Sequence, residues 1–147
     1  MNLINELKQK SNEAYNVKQE VIREIKDYFN EYLNSDDFEN YLRTHIDKEE
    51  IEKRETSLIV EFWEYHIGCS DTYFYCGGKR WNNPEVQYSY DSRKYKEVML
   101  CDIQSDVCQY LETKLIHRMK ELGFNYLRQD KVGNRFNYFD TRYYFGW

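Results

Sequence analysis

Leu58-Ile59-Val60-Glu61-Phe62-Trp63-Glu64-Tyr65-His66 is the stretch on which the reading of this 147-residue chain turns. It is dense in β-branched and aromatic side chains, which fit a pleated, half-buried surface, and so predicts a strand. Upstream the pattern differs in kind. Ile4, Leu7, Ala14, Val21, Ile25, Tyr28 and Tyr32 recur three and four residues apart, which predicts a helix over residues 2–33. The change of period near Thr56 divides the chain into an acidic helical part, 1–55, and an aromatic-rich part, 56–147. At this length both fit within one domain, 1–147.

Thirty helical residues span about 45 Å. A domain of this size is roughly 38 Å across, so the first helix is expected to overhang, bend or break. Its apolar positions also fit a heptad seam, with Ser11 and Lys18 as polar interruptions. A helix lying on its own domain is the preferred reading, and dimerisation through the N-terminal helix is the alternative.

Asn34-Ser35-Asp36-Asp37 stops this helix and starts a short second one, with Phe38, Tyr41, Leu42 and His45 as its apolar face. Asp36 with Glu39, and Asp47 with Glu50 ahead of Ile51, have capping-box spacing. The charged run 48–55 reads as a solvated helical turn or linker. Beyond residue 66, strands are predicted over 72–76, 86–90 and 96–101, with a positive-φ turn at Gly77-Gly78-Lys79. Ile103, Val107, Leu111, Leu115, Met119 and Leu122 restore the helical period, and Gly123 stands where a helix-ending glycine belongs. Residues 124–129 and 135–139 read as a terminal hairpin, and Tyr143-Tyr144-Phe145-Gly146-Trp147 as a strand or plug on the body. The expected fold is α+β: a long N-terminal helix and short second helix, and an antiparallel sheet of about 4–6 strands with a second long helix packed on one face.

Net charge is −5, split as −7 over residues 1–67 (nine Lys/Arg against sixteen Asp/Glu) and +2 over 68–147 (twelve against ten). That balance opposes non-specific nucleic-acid binding, which runs on phosphate neutralisation. No apolar run approaches the roughly 20 residues needed to span a bilayer, so no membrane partner is expected. The first residues, Met1-Asn2-Leu3-Ile4-Asn5-Glu6, lack the basic and apolar regions of a secretion signal. A cytoplasmic location follows, with Cys69, Cys76, Cys101 and Cys108 reduced and mostly buried.

Chemistry-bearing motifs are sparse. His66-x-x-Cys69 is the one pair with zinc-like spacing and has no second pair to complete it, so neither metal nor cofactor is expected. His45 and His117 have no nucleophile elbow or oxyanion loop beside them, and Gly77-Gly78-Lys79-Arg80 lacks phosphate-loop spacing. The expectation is a protein that is not an enzyme. Two acidic clusters remain, Asp36, Asp37 and Glu39, then Glu49, Glu50, Glu52 and Glu55. Such a surface can steer onto a basic groove that normally holds nucleic acid. The expected function is a protein-binding inhibitor or adaptor whose partner is a basic nucleic-acid enzyme. Lys79, Arg80 and Trp81 are a secondary candidate surface, and with the basic-aromatic C-terminal half they define the alternative, a small nucleic-acid-binding module. In texture, short and rich in Asn, Lys, Glu and Tyr, the chain resembles small phage and mobile-element proteins, anti-CRISPR inhibitors among them, and toxin-immunity proteins. The resemblance is one of composition and assigns no residue.

Overall fold

The computed structural model describes residues 2–63, 73–82, 100–131 and 138–147. Its elements are α1 (Leu3–Leu33), α2 (Asp36–His45), α3 (Lys48–Lys53), β1 (Glu55–Trp63), β2 (Tyr73–Cys76), β3 (Lys79–Asn82), α4 (Leu100–Glu121), β4 (Asn125–Lys131) and β5 (Tyr138–Gly146). The five strands form one antiparallel sheet in the order β3-β2-β1-β5-β4. The expected α+β architecture is the one found, with the long helix packed on one sheet face.

β1 is the central strand, paired on both sides. Its alternate residues Thr56, Leu58, Val60 and Phe62 are buried on the helix side. The register sets Leu58 opposite Tyr143 and Phe62 opposite Phe74, whose rings lie 4.8 Å apart. α1 contributes Val21, Ile25, Phe29 and Leu33 to the same core, and α4 contributes Ile103, Val107, Leu111, Leu115 and Met119. Fully burying one such side chain stabilises the fold by roughly 1.5–3 kcal/mol. Cys76 and Cys108 join this core as free thiols, and burial pushes Cys108 up to about 12 and raises Cys76 as well.

α1 and α4 run in the same direction. Lys26 lies over the Tyr110 ring at 4.9 Å, and Arg118 Nε donates to Leu33 O at 2.7 Å, satisfying a carbonyl at the end of α1. Counting back, α4 begins level with about residue 16 of α1. Residues 2–16 are correspondingly all exposed, and the first buried side chain is Val21. Of the three outcomes expected from length, overhang is the one observed.

Several local expectations change. Ser35, not Asp36, is the N-cap of α2, and its hydroxyl donates back to Tyr32 O at 2.6 Å. Asp36 and Glu39 therefore lie inside the first turn and form no capping box. Asp47 and Glu50 do form one. Leu100 and Cys101, assigned to a strand by sequence, start α4 instead, because the helical period of Ile103 and Val107 extends back to Leu100. Lys79–Asn82 continues out of the glycine turn as a strand that the sequence reading lacks. The C-terminal tail belongs to β5. The predicted strand at 86–90, the remainder of that at 96–101, and residues 64–66, 72 and 132–137 lie outside the described residues. No described helix is long and apolar enough to cross a membrane.

Candidate functional site: an acidic ledge around an apolar groove

α2 is a ten-residue helix and too short to persist alone, so tertiary contacts must hold it. Phe38 and Leu42 plug it into the core. Tyr41 stacks on His45 at 5.1 Å, its hydroxyl is 3.1 Å from His45 Nδ1, and His45 Nε2 is 2.7 Å from Ser57 O. A carbonyl can only accept, so Nε2 carries the proton and Nδ1 accepts from Tyr41 in the neutral imidazole. Burial, followed by a hydrogen bond with Tyr75, raises the Tyr41 phenol. α2 is thus tied to β1 and β2 as well as to the core.

This anchorage presents the acidic residues. Asp36, Asp37 and Glu39 occupy the first turn of α2, where the helix dipole favours carboxylates. Asp36, Glu39 and Arg43 share one stripe at i, i+3 and i+7. Glu39 and Arg43 rim an open groove of about 370 Å³, whose other walls are Leu42, Ile46, Ile51, Leu122 and Phe124. Ile51 is 56 % exposed, in the middle of α3, between Glu50 and Glu52. Trp147, 41 % exposed, meets Phe124 edge-on at 5.7 Å, and its backbone N–H donates to Arg54 O at 3.2 Å. Three chain segments, 39–54, 122–124 and the C-terminus, therefore converge on one surface.

The seven acidic candidates separate into two kinds. Glu50 holds the fold: its carboxylate accepts from the Asp47 N–H at 3.4 Å and from the buried Thr56 hydroxyl at 2.6 Å. Glu55 is half-buried and paired with Arg128 at 2.6 Å. Neither is free for a partner. Glu49 makes a highly exposed pair with Lys53 at 3.4 Å, which contributes little. Asp36, Asp37 and Glu52 are exposed and Glu39 is half-buried on the groove. Asp37 is not among the residues that line the groove. Glu50→Ala is expected to destabilise the protein by about 1–2 kcal/mol, through the lost cap and the orphaned Thr56 hydroxyl. Glu52→Ala should stay within about 0.5 kcal/mol. Urea unfolding of the two variants side by side checks the division.

The secondary surface does not form as a unit. Trp81 is 6 % exposed and packs with Phe74 inside the core, so its ring is no surface anchor. Lys79 lies on the same helix side, 5.7 Å from the Tyr28 ring. Strand alternation turns Arg80 to the opposite face, where it stacks on Tyr73 at 3.7 Å. Tyr73 in turn donates to Glu61 at 2.6 Å, and burial, then that bond, push its phenol up to about 12. Arg128 repeats the arrangement over Tyr144 at 4.0 Å.

No family model matches this chain, and neither curated proteins nor solved structures provide a match. The groove escaped sequence reading because its walls come from separated segments. The one local signal was Ile51, an apolar residue set in a charged run.

Proposed function

We propose that this is a non-enzymatic adaptor or inhibitor that binds a protein partner through the α2–α3 ledge. The supporting observation is the coincidence of an exposed apolar groove, rimmed by Glu39 and Arg43, with the most acidic segment of the chain. Residues 36–55 hold eight carboxylates against four Lys/Arg, a net of −4. Groove and rim together fit a basic amphipathic segment, whose apolar side chains fill the groove while its cations face Asp36, Glu39, Glu49 and Glu52. Trp147 beside the groove is the residue type most enriched among binding hot spots. A surface of this kind suits a nucleic-acid enzyme whose own basic segment it occupies, the inhibitor role that the composition suggests. The nucleic-acid-binding alternative is weaker, because its three named residues divide between two sheet faces and the whole chain is acidic.

The test uses a fluorescent amphipathic Lys/Leu helical peptide and its Glu/Leu counterpart. The basic peptide should bind and the acidic one should not. Combined Asp36→Lys, Glu39→Lys, Glu49→Lys and Glu52→Lys should weaken binding at least about tenfold and flatten its salt dependence. Circular dichroism should show an unchanged fold, since exposed charges contribute little to stability. Equal affinity in the folded variant would overturn the proposal.

A further inference from the structure

The first half of α1 is an exposed amphipathic helix that the described residues of its own domain leave uncovered. Leu3, Ile4, Leu7 and Tyr15 are 65, 57, 49 and 62 % exposed. The heptad positions that are packed in the body at Val21 and Ile25 continue outward through Lys18, Ala14, Ser11, Leu7 and Ile4. We infer that this overhang pairs antiparallel with the overhang of a second copy of the chain.

Three observations select that occupant and orientation. First, the body occupies the seam side of α1 from Val21 onward, so a parallel partner would bring its own body into the same space. An antiparallel partner lays its residues 2–16 along the uncovered stretch and keeps its body beyond the far end. Second, antiparallel seams set one heptad core position against the other, and a single register pairs large with small throughout. Ile4 meets the partner's Ala14, Leu7 meets the partner's Ser11, and both contacts repeat by symmetry. Leu3 then lies beside the partner's Val17, and Lys18 falls outside the paired stretch. The small side chains of Ser11 and Ala14 become the holes for Leu7 and Ile4. Third, covering Leu3, Ile4, Leu7 and Tyr15 on both copies removes on the order of 1,000 Å² from water, where specific interfaces begin.

The charges give the pairing a signature. Lys8 and Lys10 flank the seam near their counterparts, and both chains carry −5 overall, so salt should strengthen the dimer. Binding of a basic segment to the ledge should respond in the opposite way. A dimer also carries two ledges, so a partner with two basic segments would gain avidity without any new contact.

Sedimentation of the full chain from about 1 to about 100 µM tests this, because an interface of that size fits micromolar dissociation. The expected result is a concentration-dependent shift to twice the 18.2 kDa chain mass, enhanced by salt. Leu7→Asp should raise the dissociation constant at least about tenfold while the melting temperature of the body is unchanged. For orientation, a mixture of Leu7→Cys and Ser11→Cys chains should cross-link between the two variants, whereas Leu7→Cys alone should not. A monomer at every concentration, a dimer indifferent to Leu7→Asp, or efficient Leu7→Cys self-cross-linking would each overturn the inference.

Discussion

Phe38→Ala is expected to cost about 3–5 kcal/mol, the range for removing a fully buried phenylalanine ring. Phe38 has no exposed surface and meets Tyr32 edge-on at 5.6 Å. A Cβ built on Gly77 would lie 3.1 Å from its ring, so the β2–β3 turn already packs closely on that ring. The turn is itself held in place, because Tyr32 donates to Gly77 O and Tyr28 to Arg80 O, both at 2.7 Å. The void therefore cannot collapse cheaply, which places the cost high in the range. α2 has no independent stability, so the ledge should loosen with it. Urea unfolding should show a lower midpoint with an unchanged slope. A loss below about 1 kcal/mol would mean that α2 is not anchored through Phe38.

Gly78→Ala is expected to be the next most damaging single change, at about 2–4 kcal/mol, from a left-handed backbone and a displaced ring together. Gly78 has φ +97°, and an added Cβ would lie 2.6–2.7 Å from three ring carbons of Tyr41. The ring would have to leave, breaking its stack on His45 and its hydrogen bond to Nδ1. Gly123 supplies an internal control. It has nearly the same φ, +99°, and nothing within 4 Å of an added Cβ. It ends α4 in a Schellman arrangement, with Phe124 N bonded to Met119 O and Gly123 N to Lys120 O, both at 3.0 Å. Gly123→Ala should lose only the backbone component, about 1–2 kcal/mol. Equal losses at the two glycines would show that Tyr41 is not fixed against the turn.

What the sequence made legible follows from how local each signal is. α1 and α4 repeat one period over many turns, and their ends carry readable stops in Asn34 and Gly123. β1 announced itself by composition, since a central strand buried on one face and half-buried on the other uses apolar residues on both. β3 did not, because Lys79-Arg80-Trp81-Asn82 has one inward apolar residue and becomes a strand through its register with β2. Among the acids, Glu50 and Glu52 look alike in sequence except for the Asp47 spacing, which marked Glu50 as a cap. Nothing local marked Glu55, whose role comes from Arg128, 73 positions further on. The groove is the least local feature of all. Leu42, Ile51 and Phe124 meet because β5 pairs with both β1 and β4, setting Gly146 between Glu55 and Asn125.

The proposed function requires that the ledge, rather than the sheet, receive the partner. Hydrogen–deuterium exchange of the full chain, with and without the basic amphipathic peptide, tests it most directly. Backbone amides of residues 39–54 and 122–124 should slow when the peptide binds, while those of β2 and β3 stay unchanged. Protection confined to β2, β3 and the Arg80–Tyr73 face, with the groove untouched, would contradict the account.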